Sequence, residues 1–81
     1  MARVSGQQDG AGQLKALGDA VRVSRKALGL SQEALADAAG IDRSHMGKIE
    51  RGERNVTLLN IARVAAAMDT KPSQLLAAAG L

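Results

Sequence analysis

One helix-initiating pattern occurs three times between residues 30 and 61, and this repetition constrains the fold of the chain more than any other feature. In each copy an apolar residue is followed by Ser, Asp or Thr, and a second apolar residue stands five positions after the first. The copies are Leu30/Ser31/Leu35, Ile41/Asp42/Met46 and Val56/Thr57/Ile61. The polar residue is suited to cap free N–H groups of a first helical turn, and the apolar pair packs as a hydrophobic staple. The pattern predicts helices that begin at about residues 32, 43 and 58.

A connection of about three residues, 39–41, separates the first two of these helices. Gly40 falls at the end of the first helix and is suited to the left-handed conformation that closes a helix. So short a connection makes the two helices cross steeply, and Ala36 leaves room for their close approach. Met46 and Ile49 are then expected to pack inward. This is the spacing of a helix-turn-helix motif.

The spacing of apolar residues predicts an all-α fold with five helices. The expected helices cover residues 13–28, 32–39, 43–51, 58–68 and 72–79. The first should bury Leu14, Leu17, Val21 and Leu28, and the fourth Leu58, Ile61, Ala62, Ala65 and Met68. Pro72 is placed where proline is allowed, in the first turn of a helix. Since the chain has no aromatic residue and is rich in alanine, closely approaching helices are favoured over strands.

The length of 81 residues is that of one domain. Residues 1–12 are glycine-rich and polar, and we expect a flexible N-terminal leader there. Residues 13–81 then form the helix-turn-helix domain.

Composition argues against several classes of function. There is no cysteine and only one histidine, His45, so neither a metal site nor a cofactor site is expected, and the residues offer little for enzymatic chemistry. The formal net charge of +3 and the pI near 10.0 favour an anionic partner. No apolar run resembles a membrane span or a signal peptide, and a cytoplasmic location is expected.

The third helix is predicted to present a cationic face opposite its buried side. That face carries Arg43, Ser44, Gly47, Lys48 and Arg51. It suits the DNA major groove, where Arg and Lys donate to guanine O6 and N7. The residues expected to contact bases are Arg43, Ser44 and Lys48, whereas Arg51 is expected on phosphate. A glycine inside a helix costs about 1 kcal/mol, and Gly47 is explained either by close approach of DNA or by simple tolerance.

Gln32 stands at the head of the second helix, where free N–H groups and the helix dipole favour a phosphate. A polar residue in a first helical turn is the alternative interpretation.

The segment resembles the helix-turn-helix of the phage repressor and Cro (Xre-like) DNA-binding family. The matching residues are Gln32, Ala36, Gly40, Met46 and Ile49, followed by IERGER at residues 49–54. The resemblance implies a five-helix Cro/repressor-type domain that binds double-stranded DNA sequence-specifically. It implies a transcriptional regulator that acts as a small homodimer on an inverted-repeat operator.

The same resemblance implies roles for residues outside the third helix. The loop after that helix runs along the phosphate backbone in the family, so Arg54 and Asn55 are expected to contact phosphates. The family pairs an arginine with a glutamate at the positions of Arg25 and Glu50, which implies a partly buried ion pair here.

A dimer contact is predicted in the last helix. Leu75 and Leu76 are adjacent and therefore point about 100° apart. One of them is expected to face the core, and the other to join Leu81 and exposed parts of the fourth helix in a dimer surface. An ordinary exposed leucine is the alternative.

The segment DRSHMGKIERGERNVTL is similar to restriction-modification controller proteins, with phage repressors and antitoxins as close alternatives. A regulator of this kind would block or recruit RNA polymerase. The rival from another class is a helical protein-interaction module that keeps the fold without binding DNA.

Overall fold

The computed structural model describes Asp9 and residues 12–81, and this part of the chain holds five α-helices and no strand. They are α1 (Gln13–Ala27), α2 (Gln32–Ala39), α3 (Arg43–Glu50), α4 (Leu58–Ala67) and α5 (Pro72–Ala78). The all-α, five-helix prediction and the start of every helix are confirmed. The helices α1, α3, α4 and α5 end one residue earlier than predicted, because the predicted last residue is the C-cap of each helix. No helix among these residues is long and apolar enough to cross a membrane.

Each repeat of the helix-initiating pattern caps a helix as predicted. The Ser31 hydroxyl accepts from the Ala34 N–H at 2.9 Å and begins α2. The Asp42 carboxylate accepts from the Ser44 N–H at 3.1 Å and begins α3. Thr57 likewise accepts from the N–H of Asn60, at 3.1 Å, and begins α4.

The start of α1 has a cap that sequence reasoning missed. The two carboxylate oxygens of Asp9 each accept at 2.8 Å, from the N–H groups of Gln13 and Leu14. Asp9 therefore belongs to the capped start of the domain, although the prediction assigned it to the leader. Residues 1–8, 10 and 11 of the predicted leader lie outside the described residues.

The turn between α2 and α3 has the predicted geometry. Gly40 adopts a left-handed backbone with φ of 68°, and the Ile41 N–H donates to the Ala36 carbonyl at 2.9 Å. Ala36 and Met46 are fully enclosed at 1% and 0% exposure. The turn therefore fixes α3 against α2, with the apolar side of α3 directed into the core.

The core contains side chains from all five helices. Its members include Leu17, Val21, Leu35, Ala36, Met46, Ile49, Val64, Ala65, Met68 and Leu75. Two predicted members are exposed, Leu28 at 54% and Leu58 at 73%, and three more are only half-buried, Leu14, Ile61 and Ala62. Leu28 caps the end of α1, where the chain leaves the packed surface. Leu58 lies on the same side of α4 as Ala65 but about 10 Å further along the axis, beyond the end of the core.

α1 and α3 are in direct backbone contact at Gly18. A Cβ added to Gly18 would lie 2.5 Å from the carbonyl oxygens of both Ile49 and Glu50. A side chain at this position would therefore separate the two helices. The contact places the end of α3 against the N-terminal half of α1, and the Glu50 side chain reaches from there to Arg25.

Candidate nucleic-acid interface

Arg25 and Glu50 form the ion pair expected from the sequence. Arg25 Nε donates to Glu50 Oε2 at 2.8 Å, and Nη2 donates to Oε1 at 3.0 Å. The side chains are 11% and 2% exposed, so the pair is largely removed from water. Arg25 Nη1 also donates to the Leu30 carbonyl at 2.9 Å. One guanidinium therefore joins α1, the α1–α2 connection and the end of α3.

Gln32 is a third member of this network, which the sequence did not indicate. Its Nε2 donates to Glu50 Oε1 at 3.2 Å, the oxygen that also accepts from Arg25. A carboxamide nitrogen carries two hydrogens. The bond to Glu50 uses one of them and holds the side chain at the head of α2. The second N–H remains as a donor there.

The predicted base-contacting residues lie on one side of α3. Arg43 and Ser44 are exposed, and Lys48 is half-buried. The Ser44 hydroxyl donates to Asp42 Oδ2 at 2.8 Å. Its hydrogen is therefore engaged, and its oxygen lone pairs are left to act as an acceptor.

The Asp42 carboxyl group is held in its ionised form by local hydrogen bonds. The Ser44 hydroxyl, followed by the N–H groups of His45 and Ser44, lowers the pKa of Asp42 below its ordinary value. These donors stabilise the carboxylate and not the acid. The first turn of α3 therefore has a charged cap next to the cationic residues.

Arg51 is paired at the end of α3. Arg51 Nε donates to Glu53 Oε2 at 2.7 Å, and the side chains are 57% and 53% exposed. The hydrogen bond from Arg51 lowers the pKa of Glu53. The guanidinium also lies beside Gly47, which is buried and not on the open face that helical spacing predicted.

The loop between α3 and α4 carries Arg54 and Asn55, both exposed. This loop is close to α1, because a Cβ added to Gly52 would lie 2.7 Å from the Cα of Lys15. The predicted phosphate contacts therefore occupy two separate elements, the head of α2 and the loop after α3.

The predicted dimer contacts are only partly at the surface. Leu75 is 2% exposed and belongs to the core, so the prediction that Leu75 contacts a dimer partner is wrong. Leu76 is half-buried and packs against the core, whereas Leu81 is 52% exposed. The first two residues of α4 are more exposed, with Leu58 at 73% and Leu59 at 60%.

Comparison with known proteins agrees with this geometry. A helix-turn-helix family model matches residues 21–75, which include the whole of α2, the turn and α3. The chain belongs to the Cro/repressor-like helix-turn-helix family. Its members bind DNA and regulate transcription, and so does this protein.

The relatives include several control proteins. The chain is 43% identical over 65 residues to control protein C.SmaI of Serratia marcescens, which covers 80% of this chain and 77% of that one. It is 39% identical over 56 residues to control protein C.BamHI of Bacillus amyloliquefaciens, with 69% and 67% covered. Among solved structures, the restriction-modification controller protein C.AhdI of Aeromonas hydrophila superposes with a TM-score of 0.75 at 50% identity, covering 76% of this chain and 94% of that one.

Proposed function

We propose that this protein is a homodimer that binds an inverted-repeat DNA operator and controls a restriction-modification system. The observation that carries the proposal is the cationic side of α3, with Arg43 exposed and Lys48 half-buried, beside the partly buried Arg25–Glu50–Gln32 network that holds the end of α3. The names of its relatives supply the biological setting. The protein would act by occupying its operator, without covalent chemistry, and so block or recruit RNA polymerase.

α3 would read base edges in the major groove. Arg43 and Lys48 are donors suited to guanine O6 and N7. The Ser44 hydroxyl donates its hydrogen bond to Asp42, so its oxygen would accept a hydrogen bond from cytosine N4 or adenine N6.

The elements on either side of α3 would hold the phosphate backbone. The second N–H of Gln32 lies at the head of α2, where the helix dipole favours an anion. Arg51, which follows α3, and Arg54 and Asn55 in the loop would also contact phosphates. Such contacts set position and supply most of the salt dependence, while bases supply specificity.

The dimer would form around the head of α4. Leu58 and Leu59 are 73% and 60% exposed and directly follow the loop that carries Arg54. The C-terminal part of the surface expected from the sequence, with Leu76 in α5 and Leu81 after it, offers less exposed apolar area per residue.

Selection of binding sites from random duplex DNA tests the DNA-binding proposal. The selected sites should be inverted repeats whose half-sites are about 10 base pairs apart from centre to centre. Binding should also weaken steeply with added salt. Selection that enriches no sequence, together with no salt-sensitive binding, would favour a protein-interaction module. An enriched site without a repeat would remove the dimer from the proposal.

Sedimentation equilibrium of two matched variants tests the dimer surface. Leu59→Glu should raise the dimer dissociation constant at least about tenfold, because it places a charge in the interface. Leu81→Glu makes the same change beyond the end of α5 and should have little effect. A monomer produced by Leu81→Glu alone would instead place the interface on α5.

A further inference from the structure

We infer that Gly47 is a positioning residue for Arg51, an inference that rests on the proposed contact between Arg51 and DNA. The absence of a side chain at Gly47 leaves the space in which the Arg51 guanidinium lies. A Cβ added there would be 3.1 Å from Arg51 Nη1 and 3.8 Å from its Cζ. Gly47 therefore fixes where the cation at the end of α3 is presented.

The Arg51 guanidinium lies between the Glu53 carboxylate and the backbone of Gly47. The Glu53 carboxylate accepts hydrogen bonds from Arg51 Nε at 2.7 Å and from Arg51 Nη2 at 3.5 Å. Nη1 is thereby turned toward Gly47, and Gln32 Oε1 lies near the same point, 3.4 Å from the added Cβ. The arrangement places Arg51 beside the carboxamide at the head of α2, so two of the four predicted phosphate contacts, Gln32 and Arg51, lie together.

Gly47 lies inside α3, where glycine is unfavourable, and this indicates that the absence of a side chain there serves a purpose. α3 has only eight residues, and a glycine inside so short a helix weakens it. Close approach of DNA does not account for it, because the Gln32 and Arg51 side chains already cover the backbone there and Gly47 is buried. The nearest atoms to the added Cβ are side-chain tips, so a larger residue would displace them while the helix remained intact.

NMR of the free protein tests the placement without DNA. The Arg51 Nε–Hε signal, assigned by its loss in Arg51→Lys, should shift in Gly47→Ala and shift further in Gly47→Leu. The shift should be toward the signal of Glu53→Gln, in which the charged acceptor is gone. An unchanged signal in both Gly47 variants would overturn the inference. Gly47→Ala should melt at or above the wild-type temperature, since alanine favours the helix.

A double-mutant cycle with DNA tests the consequence. Gly47→Leu should weaken operator binding about tenfold, but at most about twofold in an Arg51→Gln background. Each change should lower the salt slope by about one unit per half-site, and the double variant should lower it no further. Equal losses in both backgrounds would show that DNA meets Gly47 directly, and no loss in either would show simple tolerance. Both results overturn the inference.

The two experiments separate this inference from the proposed function. If the wild-type protein shows no salt-sensitive binding to any duplex, the proposed function fails, and the Arg51 signal still decides how Gly47 and Arg51 are related. If the wild type binds its operator and the cycle shows no coupling, only the role of Gly47 is wrong.

Discussion

Gln32 and Arg25 donate to the same oxygen of Glu50, at 3.2 and 3.0 Å, although they belong to different helices. Glu50 is 3% exposed. A buried carboxylate is costly unless it is paired and hydrogen-bonded, and here both oxygens have donors. The stability of the fold and the orientation of a proposed phosphate contact therefore depend on one carboxylate.

Removing either member of the Arg25–Glu50 pair should destabilise the domain. Arg25→Met or Glu50→Gln should cost roughly 3 kcal/mol of unfolding free energy, because the remaining group is left buried without its partner. Urea unfolding of both single variants and the double variant measures their coupling. The exposed Lys15–Asp19 pair, at 62% and 51% exposure, is the control and should show coupling of at most about 1 kcal/mol. Coupling at Arg25–Glu50 no larger than this would contradict the prediction.

The α1–α3 contact at Gly18 should not tolerate a methyl group. Gly18→Ala places a Cβ 2.5 Å from two backbone carbonyl oxygens, which cannot move aside as a side-chain tip does. We expect a loss of about 1 to 3 kcal/mol or more, as for overpacked cores. Gly47→Ala is the matched control, since its nearest neighbours are side-chain tips. Thermal unfolding in which the two variants behave alike would show that α1 and α3 are less tightly apposed.

The helix starts could be predicted from the sequence because their causes are local. Ser31, Asp42 and Thr57 each cap the helix that follows within a few residues. The turn at Gly40 was predictable for the same reason. The family resemblance supplied the Arg25–Glu50 pair, which spacing alone would not have given.

The remaining features depend on tertiary packing, which local patterns do not encode. Leu75 and Leu76 are equally apolar, and only the packing of α5 makes Leu75 the core member. The periodicity of α4 placed Leu58 on the correct side of the helix but could not show where the core ends. The bond between Gln32 and Glu50 joins residues 18 positions apart that no pattern relates.

The charged cap of α3 should make stability sensitive to acid. Hydrogen bonds depress the pKa of Asp42 below its ordinary value of 3.8 in the folded protein. Because the folded pKa is the lower one, its contribution is complete above the ordinary value and is lost as the pH falls through the folded value. Asp42→Asn retains a capping oxygen without this titration.

Thermal melts of wild type and Asp42→Asn from neutral pH to about pH 2 measure this effect. The difference between their melting temperatures should be constant above the ordinary pKa of 3.8 and should shrink below it. Other carboxyl groups titrate in both proteins and cancel in the difference. A difference that stays constant across the whole range would mean that Asp42 does not cap α3 as a carboxylate.

The DNA face should divide into base-reading and phosphate-holding residues, and Arg43 and Arg54 represent the two groups. Arg43→Ala should cost about 1 to 3 kcal/mol on the selected operator and relax preference at one base position per half-site, with much less loss on scrambled DNA. Arg54→Ala should weaken binding to both duplexes alike. It should also lower the salt slope by about one unit per half-site, because one fewer counterion is released.

Titrations of both variants across a salt series, on operator and scrambled duplexes, measure affinity and salt slope together. Lys71→Ala is a control, because Lys71 is an exposed cation at the N-cap of α5, a helix that packs on α1 and α4. It should change neither base preference nor salt slope. If Arg43→Ala weakened both duplexes equally while Arg54→Ala altered base preference, the groove would be entered by the α3–α4 loop and not by the first turn of α3. Ser44, whose hydroxyl is oriented by Asp42, would then lie outside the reading surface as well.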